Sequence, residues 1–304
     1  MTLRGISYRL DQLRRRTAFA VRGGRHYARL RPERNGHRPS VAAVVVGRND
    51  DYMPDFDRRL RATIAWNVRY FVDEVVFVEW NPPADRELLS LSLTKQFDRL
   101  RAYIVPADIH QTVCRNSHLA LMEYHAKNVG IRRAESQWIL ATNADVALGP
   151  DTVRTLHQSL SSSDIAWTAQ RVDISWDEGR QRPIGVFDCL RYRQIIPYQS
   201  HGTGDFTLAS RELWNQVRGY DESLVKHRIG CDIRGVAQML AHGADTRKAG
   251  IVLHFAHPTS CVEELQPHHG EWASLNDLPY HNGDDWGLNN CREKQIAERV
   301  WMLE

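Results

Sequence analysis

The chain has 304 residues, 42% of them hydrophobic, and a formal net charge of +3, values typical of a soluble globular protein with a large core. No apolar run approaches the length of a membrane span, and no signal-peptide pattern stands at the N-terminus. The five cysteines are scattered and form no CxxC pair, which argues against a disulfide framework or a cysteine zinc site. A cytoplasmic location is therefore expected.

Residues 1–39 are predicted to form a basic N-terminal extension. Residues 1–38 contain eleven arginines against Asp11 and Glu33, a balance of +9, so the remainder sums to −6. Such an arm is a candidate for peripheral contact with an anionic membrane surface, whereas nucleic acid is not an expected partner. A solvated extension without a catalytic role explains the composition equally well.

Strands and helices are predicted to alternate through the first half of the chain. Apolar runs predict strands at 41–46, 74–80, 102–106 and 138–142. Helical spacing predicts helices from Pro54 onward, over about 84–98 and over 118–134. This order implies βαβ crossovers, and so an α/β fold with a mostly parallel central sheet flanked by helices.

The second half is less regular. It predicts a strand at 165–174, a strand and helix within 202–222, a helix at 231–243 and a strand at 250–258. The tail is expected to fold back as a helix over the site or the core. We therefore predict one domain at 40–304, with halves at 40–150 and 151–304.

Three predicted strands end in polar residues, "GRND" (47–50), "EWN" (79–81) and "TNAD" (142–145). Ligands of parallel α/β sheets collect beyond the carboxyl ends of the strands, and all three tips are expected at that edge. Asn143 and Asp145 then have two interpretations. Their side chains either cap a turn or supply oxygen ligands to a cation.

The order of these motifs resembles the GT-A glycosyltransferases, most closely the family-2 type. The resemblance covers about 40–260 and depends on "GRND", "VEWN", "AKNVGIRRAESQWILATNADVAL" and "GDFTLASRELWNQVRGYDE". The family's DxD motif stands here as Asn143-Ala144-Asp145, and its Glu-Asp pair as Cys231-Asp232. The resemblance implies a GT-A (Rossmann-like) single catalytic domain. It also implies a nucleotide-diphosphate sugar donor and a hydroxyl acceptor, whether saccharide, lipid-linked or small molecule.

The resemblance also implies a set of site residues. The expected ligands of Mg2+ or Mn2+ are Asp145, Asn143, His254 and His257. The expected nucleotide-sugar contacts are Arg48, Asn49, Asp50, Glu79, Lys127, Asn128 and Asn143. Asp232, at the start of a predicted helix where the dipole favours its ionised form, is the favoured base of an inverting displacement. Asp205 is the competing base or an acceptor contact. For several of these residues, a helix cap or ordinary loop polarity is the simpler interpretation.

Three other functions remain open from the sequence. A retaining transferase of the same fold shares the strand-end motif. A sugar-phosphate nucleotidyltransferase would need a glycine-rich basic loop after the first strand, whereas "GRNDDYMPD" is acidic and has a single glycine. A binding protein with an inactive transferase fold would use the basic arm instead.

Overall fold

The structure, a computed structural model, describes residues 38–50, 52–160, 163–174, 204–226, 228–257 and 277–304, and the backbone of 176–177 and 182–183. Most of the basic arm (1–37) lies outside the described residues. Within them, no helix combines the length and the apolar character that a membrane span requires.

Within the part of the chain that the structure describes, ten strands form one sheet in the order β11-β12-β3-β2-β1-β4-β9-β6-β10-β5, and two short strands form a separate pair. The strands are β1 (Val41–Gly47), β2 (Glu74–Trp80), β3 (Leu100–Val105), β4 (Trp138–Thr142), β5 (Val146–Leu148), β6 (Ile165–Ile174), β7 (Trp176–Asp177), β8 (Arg182–Pro183), β9 (Phe206–Ser210), β10 (Asp245–Phe255), β11 (Glu293–Ala297) and β12 (Val300–Leu303).

The described helices lie between these strands and cover both faces of the sheet. They are α1 (Phe56–Tyr70), α2 (Leu89–Gln96), α3 (Ala107–Val113), α4 (Glu123–Arg133), α5 (Pro150–Ser159), α6 (Arg211–Val217) and α7 (Cys231–Ala241). The helices predicted at 84–98 and 118–134 exist but are shorter, because the chain before each of them is irregular.

The first half is parallel, as the sequence predicts. β1 lies between β2 and β4 and runs parallel to both. Val41, Ala43 and Val45 of β1 pack into one core cluster, whereas Ala42 and Val44 pack into the cluster on the opposite face. A strand buried on both faces reads as a continuous apolar run, which explains why "VAAVVV" is so easily recognised.

The second half makes the sheet mixed. β9 is antiparallel to both β4 and β6, while β10 runs parallel to β6. The short strand β5 pairs antiparallel with the end of β10. Five of the nine strand pairings in the large sheet that the structure describes are parallel, so the prediction of a mostly parallel sheet is confirmed, and each antiparallel pairing involves a strand of the second half.

The prediction of a C-terminal helix is wrong. The described tail, residues 277–304, contains turns followed by the hairpin of β11 and β12, and β12 pairs parallel with β3. Val300 and Leu303 are fully buried there. The side of β3 that faces away from β2 offers backbone hydrogen bonds that only a strand can use. The tertiary context therefore overrides the local pattern.

Two side chains of α1 hold the short strand β5 in place. Asn67 is buried, and its amide donates to the carbonyl of Val146 and accepts from the amide of Leu148, both at 3.0 Å. Trp66 donates its indole N–H to the carbonyl of Leu148 at 3.0 Å. Because β5 begins directly after Asp145, these bonds also determine where that carboxylate lies.

We predict that Asn67→Leu lowers the free energy of unfolding by about 3 kcal/mol, since it leaves a buried donor and acceptor of β5 without partners. Urea unfolding measures the change. The control is Ala65→Leu, an exposed position on the same helix, which should shift stability by about 0.5 kcal/mol or less. Equal stability of Asn67→Leu and wild type would contradict this role for Asn67.

Candidate functional site

The turn between β4 and β5 brings Asp145 next to the end of β10. The amide of Val146 donates to the carbonyl of Asn143 at 3.3 Å, which closes the turn. Val146 is the register partner of His254, and the amide of Phe255 donates to the carbonyl of Asp145 at 2.9 Å. Strand pairing therefore places Asp145 beside His254, although 109 positions separate them in the chain.

Asp145, His254 and His257 form a compact cluster. The Asp145 Oδ2 atom lies 3.0 Å from His254 Nε2 and 3.1 Å from His257 Nε2. One ligand atom from each residue falls within 4.8 Å of the others. Among the residues that the structure describes, this is the one group of three or more His, Cys, Asp or Glu side chains close enough to hold a metal ion.

Arg59 supports the segment that carries His257. Its guanidinium is buried and donates to the carbonyls of Phe255 and Ala256 at 3.0 and 3.2 Å. These bonds satisfy the last carbonyls of β10, where the strand ladder ends. A side chain of α1 thus holds the backbone that leads to His257.

The charges of the cluster are strongly coupled. Burial alone would raise the pKa of Asp145, but His254 and His257 lower it well below its usual range. Burial disfavours the imidazolium of His254, but the Asp145 carboxylate and the hydrogen bonds to Asp145 and Asp173 outweigh it and raise its pKa to about 9. The cluster of the cation-free protein is therefore a buried ion pair.

Two side chains of β6 flank His254 on its other ring nitrogen. Asp173 is the register partner of His254, and its Oδ1 lies 2.9 Å from His254 Nδ1. Arg171 lies two residues earlier, on the same face of the strand, with Nη2 2.8 Å from the same ring nitrogen. The sequence interpretation missed both residues, although the alternation of a strand at 165–174 would have placed them on one face.

A cavity of about 330 Å³ opens in front of the cluster. Five residues predicted from the sequence line it: Asn143, Asp145, Asp232, His254 and His257. Arg171, Arg228, Glu123 and Tyr52 line it as well and were not predicted. Arg228 lies in an irregular stretch with no motif, so the sequence carried no signal for it.

Asn143 is held by two neighbours. Its Oδ1 accepts from the Lys127 ammonium at 2.8 Å, and its Nδ2 donates to Asp205 Oδ1 at 3.0 Å. Lys127 is fully buried and also donates to Glu123 and to the carbonyl of Gly204, at 2.8 and 2.9 Å. All three ammonium protons thus have protein acceptors, and Lys127 acts here as a support of the Asn143 turn.

The two candidate bases differ in their access to the cavity. Asp232 lies in the first turn of α7 and lines the cavity. Asp205 is buried, bonded to Asn143 and 3.5 Å from Arg171, and burial raises its pKa. Gly204 lies close to Asp232, since a Cβ atom there would make a tight contact of 3.2 Å with Asp232 Oδ2. The geometry favours Asp232.

The residues after β1 bond among themselves and to neighbouring loops. Arg48 lies 3.0 Å from Asp50 and donates to the carbonyl of Ala120, and Asn49 donates to the carbonyl of Glu87. Their position past the carboxyl end of β1 agrees with the expected edge. They do not line the cavity in front of the cluster.

Glu79 has a structural role, unlike the predicted nucleotide contact. It is fully buried, and its carboxylate accepts from the backbone amides of Leu89 and Ser90 and from the Ser90 hydroxyl, at 2.7 to 2.9 Å. These amides are orphan donors at the start of α2. A carboxylate at the end of one strand thus caps the next helix in the chain.

Asn128 is also structural. Its side chain is fully buried, accepts from the amide of Tyr220 at 2.7 Å and donates to the Tyr220 carbonyl and the Glu222 carboxylate. A Cβ atom on Gly219, which has a φ of +71°, would lie 2.3 Å from Asn128 Oδ1. The "GYDE" turn and "KN" helix therefore form one packing unit, which accounts for both motifs without a nucleotide.

The fold is similar to that of solved glycosyltransferase structures. The crystal structure of GalNAc-T7 with UDP, GalNAc and Mn2+ matches with a TM-score of 0.51 and 12% sequence identity, over 76% of this chain and 46% of that one. The chain has the GT-A fold. The fold class predicted from the sequence is confirmed, and the chain spans about half the length of this neighbour.

A second neighbour is the mannosyltransferase PcManGT from Pyrobaculum calidifontis in complex with GDP-Man and Mn2+. It matches with a TM-score of 0.48 and 14% identity, over 81% of this chain and 66% of that one. No family model matches the sequence, and no curated protein matches it either.

The raised pKa of His254 predicts how stability depends on pH. A folded-state pKa of about 9, above the ordinary 6.5, gives a contribution that is complete below pH 6.5 and is lost as the pH rises through 9. We expect the free energy of unfolding in EDTA to fall across this window by on the order of 3 kcal/mol more in wild type than in His254→Gln. Urea unfolding from pH 6 to 9.5 measures this difference.

The exposed His281 provides the control, since His281→Gln should leave the pH profile of wild type unchanged. Identical slopes for wild type and His254→Gln would show that the cluster is not a buried ion pair.

Proposed function

We propose that this chain is a glycosyltransferase of the GT-A type that uses a divalent cation to transfer a sugar from a nucleotide-diphosphate donor to an acceptor hydroxyl. The observation that carries the proposal is the Asp145–His254–His257 cluster. It lies at the carboxyl edge of the sheet, in a cavity that also contains two arginines and the Asp232 carboxylate. Ligands of open α/β sheets bind at this edge.

The cluster fits a transition-metal cation. It offers two imidazole nitrogens and one carboxylate oxygen close together, and Asp173 stands behind His254 as a carboxylate that can orient the ring. Mg2+ prefers an all-oxygen shell, whereas imidazole ligands suit first-row transition ions. We therefore favour Mn2+ over Mg2+, and we leave Asn143 out of the ligand set because Lys127 and Asp205 hold its amide.

The cavity can also neutralise a diphosphate. Arg171 and Arg228 line it, and each side chain is about one-third exposed, at 34% and 31%. Guanidinium groups bind phosphate oxygens with charge-assisted hydrogen bonds. A bound cation would withdraw further charge from the leaving diphosphate. This assigns the diphosphate to Arg171 and Arg228 rather than to Lys127, which is buried.

Asp232 is the proposed base of an inverting displacement. The acceptor oxygen forms a bond to the anomeric carbon while the bond from that carbon to the diphosphate oxygen breaks, and its electron pair leaves with the diphosphate. The hydroxyl proton passes to the Asp232 carboxylate. Asp232 lies in the first turn of α7 and lines the cavity, so its carboxylate is available to an acceptor bound there.

The remaining assignments are proposals about the surroundings of this centre. We assign the nucleoside to Arg48, Asn49 and Asp50, because they lie past the end of β1 at the edge of the sheet where ligands collect. The acceptor is a hydroxyl of a saccharide, a lipid-linked sugar or a small molecule. The basic arm of residues 1–38 would keep a cytoplasmic enzyme near an anionic membrane surface.

We predict that a nucleoside diphosphate stabilises the protein only with Mn2+. At a ligand concentration of 100 times Kd, binding adds about 2.7 kcal/mol, which raises Tm by about 5 °C in a chain of this size. A thermal-shift panel of UDP, GDP, CDP and ADP with and without Mn2+ measures this effect. Asp145→Asn should abolish it, and the exposed Asp245→Asn should not. A panel in which no nucleotide stabilises wild type with Mn2+ would contradict the proposal.

We further predict that Asp232→Asn lowers kcat by about 10²- to 10⁴-fold and leaves the Kd of the donor nucleotide within about twofold. The amide keeps the shape of the side chain but accepts no proton. Release of the nucleoside diphosphate in the presence of acceptor measures kcat, and the thermal-shift panel reports the nucleotide Kd. Wild-type turnover of Asp232→Asn would exclude Asp232 as the base.

A further inference from the structure

His254 Nδ1 has two neighbours, a hydrogen-bond acceptor and a hydrogen-bond donor, that require opposite protonation of this nitrogen. Asp173 Oδ1, at 2.9 Å, is a pure acceptor and needs a proton on Nδ1. Arg171 Nη2, at 2.8 Å, is a pure donor and needs the Nδ1 lone pair. The two contacts cannot both be hydrogen bonds at the same time.

The choice at Nδ1 decides what Nε2 can do. A neutral ring that donates from Nδ1 to Asp173 presents its Nε2 lone pair toward Asp145 and His257, which is the form that binds a cation. A neutral ring that accepts from Arg171 carries its proton on Nε2, 3.0 Å from Asp145 Oδ2, and binds none. If both nitrogens are protonated, Arg171 is a like charge pressed against the ring. Arg171 therefore opposes the cation when the ring is neutral, because it favours the tautomer that carries its proton on Nε2 and it bears the same sign of charge as the cation.

Arg171 and His254 also share one oxygen of Asp173. Arg171 Nε lies 2.7 Å from Asp173 Oδ1, the same oxygen that faces His254 Nδ1. Its third contact is Asp205, at 3.5 Å, which is longer than a strong ion pair. The Arg171 side chain is one-third exposed and lines the cavity, so it can exchange these protein partners for an anion there.

We propose that Asp173 is the positioning residue that prepares His254 for the cation, and that Arg171 couples cation binding to diphosphate binding. An anionic diphosphate would draw the guanidinium away from His254 and Asp173. His254 would then carry a proton on Nδ1 and donate it to Asp173, its Nε2 proton would pass to solvent, and the Nε2 lone pair would be available to the cation. By linkage, each ligand raises the affinity for the other. This inference rests on the proposed function, because it requires a cation and a diphosphate in the same cavity.

The test measures Mn2+ affinity without any nucleotide, from the electron paramagnetic resonance signal of unbound Mn2+. Arg171→Gln removes the competitor and should bind Mn2+ about fivefold or more tightly than wild type. Asp173→Ala should bind Mn2+ about 10- to 100-fold more weakly. Asp173→Asn should recover part of this loss, because its amide oxygen still accepts from Nδ1. A merely structural role would not separate Asp173→Asn from Asp173→Ala.

Arg101→Gln is the matched control for the loss of an ion-paired arginine. Arg101 contacts two carboxylates, Glu74 and Glu135, near the amino end of β3 and far from the cluster along the sheet, and this variant should bind Mn2+ like wild type. Urea midpoints confirm that each variant is folded.

A second measurement gives the coupling itself. The affinity for uridine diphosphate and for guanosine diphosphate is measured with and without Mn2+, with the complex of Mn2+ and nucleotide in buffer determined separately. The factor by which Mn2+ raises nucleotide affinity should fall at least fivefold in Arg171→Gln.

The outcomes separate this inference from the proposed function. If wild type binds Mn2+ through Asp145 but Arg171→Gln does not bind it more tightly, or Asp173→Ala binds it as wild type does, the coupling is overturned and the cation site stands. If wild type binds no Mn2+ at all, both the coupling and the proposed function are overturned.

Discussion

The candidate site depends on the antiparallel pairing of β5 with the end of β10. Three register pairs carry this contact, and the last of them places His254 opposite Val146. Asn67 and Trp66 hold β5 from one side, and Arg59 holds the carbonyls after β10. Asp145 and the two histidines are far apart in the chain, and the pairing of β5 with β10 brings them together. The cluster thus lies at the ends of paired strands, with His254 in β10, Asp145 in the turn before β5 and His257 just after β10.

The Asn-Ala-Asp turn shows how the chain tolerates an amide where its resemblance predicts a carboxylate. Lys127 faces Asn143 Oδ1, and Asp205 faces Asn143 Nδ2. A carboxylate at 143 would meet the Asp205 carboxylate at hydrogen-bond distance, a buried like-charge contact. The amide instead links a buried cation to a buried anion. The two polar side chains of the turn therefore have different roles. Asp145 faces the cavity and its histidines, whereas Asn143 keeps the turn in position.

The sequence predicted the fold well wherever burial and local pattern agree. The valine run of β1, the strand "EVVFVEW" and the strand before Asn143 sit within a residue of their predicted bounds, because strands covered on both faces must be apolar throughout. The tail failed for the opposite reason. "VWML" is a strand only because the backbone of β3 lies beside it, and that information is some 200 positions away.

The site was predictable in part for a similar reason. Asp145, His254 and His257 lie at or near strand ends, where polar side chains are candidates for ligand binding, and the structure brings them together. Glu79 and Asn128 looked the same in the sequence but serve a helix start and a turn. A polar residue at a strand end or on a helix carries no mark that distinguishes a ligand from a cap. Arg171 and Asp173 lie within a strand, where polar residues at alternate positions are usually interpreted as a solvent-exposed face.

Among the described strands, β5 is also the shortest of the large sheet and lies at its edge, with β10 as its one neighbouring strand. Edge segments with few ladder bonds open at a lower free energy than the central strands, and they exchange their amide protons first. A cation held by Asp145 and the two histidines would cross-link this edge to β10. Closing of β5 onto the sheet and binding of the cation would then be coupled. Protection of the Val146–Leu148 amides from hydrogen exchange would report on both.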